Sequence, residues 1–394
     1  MKRVLIVGQD MCISGVSRAQ LGLLHSFDKK KYKVDLFLRN HEGEFLKYIP
    51  DDVTLLPEKK AYRYVDMTTK ATLKQGRIFQ AFGKAYGMIK AKTYAKKHGV
   101  QLSAVALDYT HKYQRRFLPM ISKEEYDLVI SFVAPHYFGA YKCKAKKRLS
   151  WIHTDYSLID IDAKSEAKVW GRYDGIASIS DSVGEEFLKK LPLLKDKIVR
   201  IDNPISPSLI RSSAEEGQSE MSKDGIRILS CGTLAPGKNF RSIPKMVSIL
   251  LNEGLDVKWY IIGDGPDRAE IEKRIEDEGV SGRVILLGKK ENPYPYFAEC
   301  DLFVHPSLRE GKAVSVIEAQ ILCKPVAITN FPTAHSQLKD GFDGIIVPLE
   351  TEGCANGIKE LLHDAEKLEM LINNCRNTDY GSEKDMNTIY SFIE

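Results

Sequence analysis

The chain has 394 residues, 43% of them hydrophobic, with 28 glycines and 16 prolines. That composition excludes a collagen-like or disordered protein, and the length predicts two domains, with a single large barrel as competitor. The net charge of +5 is unevenly divided: residues 1–200 carry 37 Lys and Arg against 22 Asp and Glu, whereas residues 201–394 carry 21 against 31. A half at +15 and a half at −10 argue against two equivalent repeats and predict different partners for each.

Seven scattered cysteines form no close pair, so neither a zinc ribbon nor a disulfide framework is expected and a reducing cytoplasm fits. The opening MKRVLIVGQD holds too short an apolar run for a signal peptide, and no stretch approaches ~18 apolar residues.

In chain order, residues 3–8 read as a strand ending in glycine. A loop with Ser14 and Gly15 follows, then a helical run from Val16 to Phe27 and a strand at Val34–Leu38. A parallel α/β domain begins this way. Further strands are expected at Leu102–Leu107, Leu128–Phe132, Arg148–Ile152 and Ile176–Ile179. His153, Thr154 and Asp155 follow one of them, at the carboxyl edge where open α/β sheets bind ligands.

Two stretches read as basic helices, 74–98 and Tyr141–Arg148. The first interleaves seven Lys and Arg with Phe79, Phe82, Tyr86 and Tyr94. Such a mixture can hold a protein on an anionic membrane; the competing reading is two solvated helices with their aromatic residues in the core. Nucleic acid is not an expected partner, because no winged-helix, RNA-binding or zinc module accompanies the charge.

Residues 206–225 are rich in Ser and Glu and lack periodicity, so they read as a linker between a domain at 1–205 and a second at 226–375. The second domain repeats the α/β pattern, with strands at Ile226–Ser230, Val257–Ile262, Arg283–Leu287, Leu302–His305, Pro325–Ile328 and Ile345–Val347. Helices are expected near 240–252, 267–278, 313–322 and 355–373. The C-terminal segment, 376–394, includes a short helix at Lys384–Ile393 and is expected to cross back to the first domain.

The densest chemistry lies in HPSLREGKAVSVIEAQ, His305 to Gln320. A strand gives way to a helix whose exposed N–H groups, near Lys312 to Ser315, can accept a phosphate. Glu310 precedes that helix and Glu318 lies two turns inside it, so two carboxylates can hold hydroxyls of one extended ligand. In ILSCGTLAPGKNF, Gly232 and a loop bring up Lys238, suited to neutralising a diphosphate leaving group without the pattern of a Walker loop. In IIGDGP, Gly263 permits close ligand approach, and Gly288 with Lys289 ends a strand beside a helical segment, Tyr294 to Ala298, that can take a nucleobase.

In the first domain the SG loop at Gly15 is not GxGxxG, which disfavours a dinucleotide dehydrogenase. His153 is placed to donate a hydrogen bond to substrate, with Asp155 to orient it; the alternative is a satisfied core histidine. Asp160 and Asp162 form a DxD-like pair but read as a solvated turn or helix start, so no metal site is expected.

Together these motifs resemble glycosyltransferase family 4, retaining enzymes of two facing, doubly wound Rossmann-like domains (the GT-B fold) with an interdomain cleft. GxLxxxKNF at Gly232–Phe240, IIGDGP, LLG with NPYPY, and DLFVHPSxxEG at Asp301–Gly311 carry the resemblance. Glu310 and Glu318 match its E-x7-E motif. VLIVG, the SG loop, WIHTD and ISDSVGEEF resemble its acceptor-side domain.

The resemblance implies transfer of a hexosyl unit from a nucleoside-diphosphate sugar, UDP-linked by preference, to a hydroxyl of a glycan or lipid-linked saccharide in surface polysaccharide biosynthesis. The configuration is retained, and neither metal nor cofactor takes part. Glu318 would bind the ribose and Glu310 the donor sugar. Lys238 and the amides of Val314 and Ser315 would balance the diphosphate. His153 would approach the sugar from across the cleft, and Gly15 would lie near the diphosphate or acceptor.

Thr233 stands where the family commonly has arginine, so one of the usual pair of phosphate-binding cations is absent or supplied elsewhere, with Lys289 and Arg309 as the candidates. Lys312-Ala313 replaces the usual Phe-Gly after Glu310-Gly311. The alternatives are a GT-B nucleotide-sugar epimerase, a sugar phosphorylase, and a non-catalytic scaffold that binds sugar nucleotides. The cysteine usage, the basic-aromatic segments and the resemblance together lead to the expectation of a cytoplasmic enzyme, peripheral at the inner face of the membrane.

Overall fold

Val4, Leu5, Ile6 and Val7 are all buried, an unbroken apolar run of the kind that parallel sheets covered on both faces require. In the computed structural model, which describes residues 1–381 and 383–394, this run is the centre of the first of two sheets. The chain forms two units, Met1–Ile205 with the C-terminal stretch to Glu394, and Ser206–Gly381.

Unit 1 holds β1 (Lys2–Gly8), β2 (Tyr32–Leu38), β3 (Thr54–Leu55), β4 (Glu125–Ser131), β5 (Lys144–Ile152), β6 (Gly175–Ser178) and β7 (Ile198–Arg200). All pairs are parallel, in the order β3-β2-β1-β4-β5-β6-β7. Unit 2 holds β8 (Ile226–Cys231), β9 (Val257–Ile262), β10 (Val284–Gly288), β11 (Leu302–His305), β12 (Val326–Thr329) and β13 (Ile345–Val347). Its order is β10-β9-β8-β11-β12-β13, again all parallel. Each sheet reverses its winding once, at β1/β4 and at β8/β11, and there the loops splay apart to leave a ligand crevice. These are two Rossmann-like units of the GT-B class.

The structure differs from the sequence expectations in four places. Leu102–Leu107 is the start of a helix, Leu102–Gln114, not a strand. A short apolar run has no period that separates the two, and the buried set Val105, Asp108, His111 and Gln114 shows the helical spacing. Tyr141–Arg148 is mostly strand β5, not a basic helix. Its cations are engaged: Lys142 donates to the Leu118 carbonyl (2.6 Å), Lys146 pairs with Asp127 (2.8 Å) and Lys147 with Asp174 (3.4 Å).

The expected linker opens with a helix, Pro207–Glu215, capped by Ser206 and burying Ile210 and Ser213 within unit 2. Proline at the first turn and serine before it outweigh the polar composition. The helix expected at 355–373 is two helices, Thr351–His363 and Ala365–Arg376, because the Asp364 side chain caps the second by accepting from Lys367 N at 2.9 Å.

The last helix, Glu383–Tyr390, packs on unit 1. Met386, Ile389 and Ile393 enter its core, Tyr390 stacks on Tyr32 at 4.5 Å, and its hydroxyl accepts from Asp28 N at 2.9 Å. Ser382, within the expected C-terminal segment, lies outside the described residues.

Candidate active site

The switch point of unit 2 is assembled from backbone upward. Gly232 N donates to Ile262 O and Gly263 N to Gly288 O, both at 2.9 Å, so the three glycines form a row across the ends of β8, β9 and β10. Gly263 has φ 143°, and a Cβ there would stand 1.8 Å from Gly232 O; only glycine closes this row. Next to it, the loop after β8 turns at Pro236–Lys238 and exits through Asn239 in the left-handed region (φ 57°). Leu308 N donates to Gly237 O at 2.8 Å, tying that loop to the one after β11.

Across the β8/β11 crevice Lys238 Nζ is ion-paired with Glu310 Oε1. The same carboxylate oxygen meets His305 Nε2 and Ser307 Oγ, each at 2.8 Å. The Thr329 and Thr333 hydroxyls fix the loop by donating to the Ser307 and Glu310 carbonyls (2.5 and 2.6 Å). Burial by itself raises a carboxyl pKa, but here the His305 hydrogen bond and the Lys238 charge outweigh it and hold Glu310 at about 2. Burial lowers the pKa of His305. With its proton on Nε2 it donates to Glu310, and Nδ1 is left buried without a partner.

The helix Val314–Ile321 starts in the same loop. Its N-cap is Ala313, which has no capping side chain, so the first-turn N–H groups at Val314 and Ser315 face an uncapped end that attracts an anion. Glu318, buried inside the helix, accepts from the Tyr294 hydroxyl at 2.8 Å. Lys289 and Arg309 are exposed, as is Thr233.

The structure thus brings Gly232, Lys238, Gly263, Gly288, Glu310, Val314 and Ser315 to one edge of the unit 2 sheet. Sequence reasoning missed His305 and Ser307 as supports of Glu310. A histidine ending a strand five residues before a glutamate was the signal. Among the described residues no group of three or more His, Cys, Asp or Glu side chains is placed to hold a metal ion. Asp162 caps the helix Ala163–Trp170 and accepts from Tyr109, and Asp160 accepts from Gln101 N.

Unit 1 is built differently. Gly15 opens the helix Gly15–Ser26, capped by Ser14, with nothing within 4 Å of where a Cβ would be. His153 follows β5 beside Phe132 (4.6 Å between ring centroids), and its Nε2 is buried without a partner. Burial lowers its pKa to about 4. Asp155 does not orient it; that carboxylate accepts from Ser157 N at 2.8 Å and turns the chain.

His153 lines a cavity of about 310 Å³ together with Leu107, Ile159, Trp170, Asp108, His136 and Glu166. Glu166 accepts from Tyr156 OH (2.8 Å) and Trp170 Nε1 (3.2 Å), and Asp108 from Tyr137 and Ser165 (both 2.7 Å). Burial, then the nearby Asp108, pushes Glu166 up to about 7, and burial lowers His136 to about 3. At neutral pH the cavity's histidines are uncharged.

Two parallel Rossmann-like units define the fold class, GT-B. Residues 212–378 match the family model described as glycosyl transferases group 1. The chain is 24% identical over 207 residues to an alpha-D-kanosaminyltransferase of Streptomyces kanamyceticus, covering 50% of this chain and 54% of that protein. It is 31% identical over 153 residues to the Campylobacter jejuni N-acetylgalactosamine-N,N'-diacetylbacillosaminyl-diphospho-undecaprenol 4-alpha-N-acetylgalactosaminyltransferase, covering 38% and 41%. The matches therefore span about half, or less, of these relatives. The crystal structure of Anabaena Alr3699/HepE in complex with UDP and glucose shares the fold over 99% of both chains, with a TM-score of 0.68 at 15% identity.

Proposed function

We propose that the protein is a retaining glycosyltransferase that moves a hexosyl unit from a UDP-sugar to a hydroxyl of a glycan or lipid-linked saccharide in surface polysaccharide biosynthesis. The observation that carries this reading is the Lys238–Glu310 pair set across the β8/β11 switch point, beside an uncapped helix N-terminus. UDP in the Anabaena structure and the diphospho-undecaprenol named for the Campylobacter relative support the donor and acceptor classes.

Lys238 and the Val314 and Ser315 amides balance the leaving diphosphate, a task for which fixed donors need no reorganisation. Glu318 holds the ribose, with Tyr294 orienting its carboxylate. Glu310, ionised, accepts hydroxyl hydrogens of the donor sugar; it is not a covalent nucleophile. Gly232, Gly263 and Gly288 let the nucleotide approach the backbone, and Lys289 supplies the charge that Thr233 lacks. The acceptor hydroxyl attacks the anomeric carbon on the leaving-group side as the bond to the diphosphate breaks, and a diphosphate oxygen takes the acceptor proton. In unit 1, His153 donates to the donor sugar, Gly15 lies beside the phosphates, and the protein works at the cytoplasmic face of a membrane.

Nucleoside-diphosphate release should require both donor and acceptor. Product analysis should show the donor's anomeric configuration, and Glu310→Gln should lower turnover about 100-fold or more. Release that proceeds in water at full rate without acceptor would reject transfer, and an inverted product would reject retention.

A further inference from the structure

The helix Ile78–His98 is amphipathic in the reverse of the usual sense. Its inner face is made of small residues, Gly83, Gly87, Ala91 and Ala95, all buried. A Cβ on Gly87 would come 2.6 Å from Tyr109 O of the neighbouring helix, so close backbone approach, not large side chains, seats this helix on the fold. The large apolar residues face outward: Ile78, Phe79, Phe82 and Ile89 are 64%, 74%, 65% and 62% exposed. Phe79, Phe82, the exposed Tyr86 and Ile89 follow one another at intervals of three or four residues and line one stripe. Phe117, from the adjoining turn, stacks on Phe79 at 6.1 Å and widens it.

Charge surrounds the stripe. Residues 69–120 contain eleven Lys and Arg and one acid, Asp108, which is buried. Lys74, Arg77, Lys90, Lys92, Lys96, Lys97 and Arg116 are exposed and form no ion pair among the described residues. Evolution of a soluble surface disfavours both features, since a contiguous apolar patch invites association and unpaired like charges repel. An anionic lipid surface satisfies both at once, the rings entering the headgroup boundary and the cations meeting lipid phosphates. Among the described residues no helix is long and apolar enough to cross a membrane, so the helix would lie along the surface.

We infer that the outward stripe of the Ile78–His98 helix docks this protein on an anionic bilayer, with Phe79, Phe82 and Ile89 inserted and the flanking lysines on the headgroups. The binding stands on the exposed face alone; only its benefit to transfer rests on the reading of the acceptor as lipid-linked. The basic strand at Lys144–Arg148, whose Lys146 and Lys147 are ion-paired, takes no part.

The test is co-sedimentation of the full chain with phosphatidylcholine vesicles, with and without phosphatidylglycerol. Sedimentation should occur only with the anionic lipid and weaken with added salt. Phe79→Ser/Phe82→Ser/Ile89→Ser should lower it at least tenfold, while circular dichroism and donor binding stay unchanged because these side chains support no core. Lys142→Gln/Lys144→Gln should sediment like the parent. Equal binding to neutral vesicles, no binding to either, an undiminished triple variant, or concentration-dependent dimerisation through this face would overturn the inference. The transfer reaction proposed above would survive any of these, since it is tested separately, by nucleotide release; only its placement at a membrane face would fall.

Discussion

Two buried glutamates show how differently the two units use one fold. Glu310, at the switch point of unit 2, has Lys238 and His305 on its carboxylate and is held at about 2. Glu166, in unit 1, has only the neutral Tyr156 hydroxyl and Trp170 indole, with Asp108 nearby, and is pushed up to about 7. The same side chain is held as a charge in one unit and keeps its proton up to about pH 7 in the other. Burial raises the pKa of both, and only Glu310 has partners that outweigh it. Net charge follows an opposite plan: unit 1 has 38 basic against 26 acidic residues and unit 2 has 20 against 27. The acidic unit concentrates cation and helix terminus at one point, suited to a diphosphate. The basic unit displays its charge outward, and burial raises the pKa of both carboxyls in its cavity, Asp108 and Glu166.

The contrast can be broken at several points. The largest effect is expected from Glu310→Gln, about 100-fold or more in turnover with unit 1 untouched; a tenfold or smaller loss in steady-state assays would remove Glu310 from the sugar. Linkage supplies a second handle on the same residue. Its depressed pKa stabilises the folded state above pH 4.5, and that contribution disappears as pH falls toward about 2.

Glu166 should behave in reverse. Its folded form keeps a proton that the unfolded chain has already released, so stability falls as pH rises from 4.5 to about 7, by on the order of 3 kcal/mol. Glu166→Gln should therefore match the parent near pH 4.5 and be more stable at pH 8. Denaturant melts showing the same gap at both pH values would end the comparison.

Gly263→Ala should cost unit 2 roughly 2 kcal/mol or more, because the methyl group meets Gly232 O in a backbone region closed to alanine. UDP affinity by calorimetry should fall with it. The smallest effect belongs to His305→Ala, about tenfold in kcat, with the acid limb of the pH profile moved upward because Glu310 has lost a donor. His305→Gln, which keeps a donor, should recover most of the loss; an unmoved limb would make His305 merely structural.

Much of unit 2 was legible in the sequence. Val257–Ile262, Leu302–His305 and Ile345–Val347 are strands over the expected residues, since short apolar runs between turn signals carry their own boundaries. Lys238 and Glu310 were also legible as charged residues in the loops that follow such strands. Their contact was not, because 72 residues separate them and only the β8–β11 pairing brings the two loops together.

In unit 1 less could be read. The period of Leu102–Leu107 is ambiguous, and the basic run at Tyr141–Arg148 has the composition of a surface helix but the neighbours of a strand. Asp155 sits beside His153 in sequence yet turns toward Ser157.

The sequence by itself determined the α/β class, the charge division and the chemical inventory of the site, because periodicity and residue type are local properties. Tertiary structure decided which glutamate is charged, which histidine supports it, and which side of the Ile78–His98 helix faces water. Those depend on partners brought from distant strands and on how closely two backbones approach, neither of which a local pattern records.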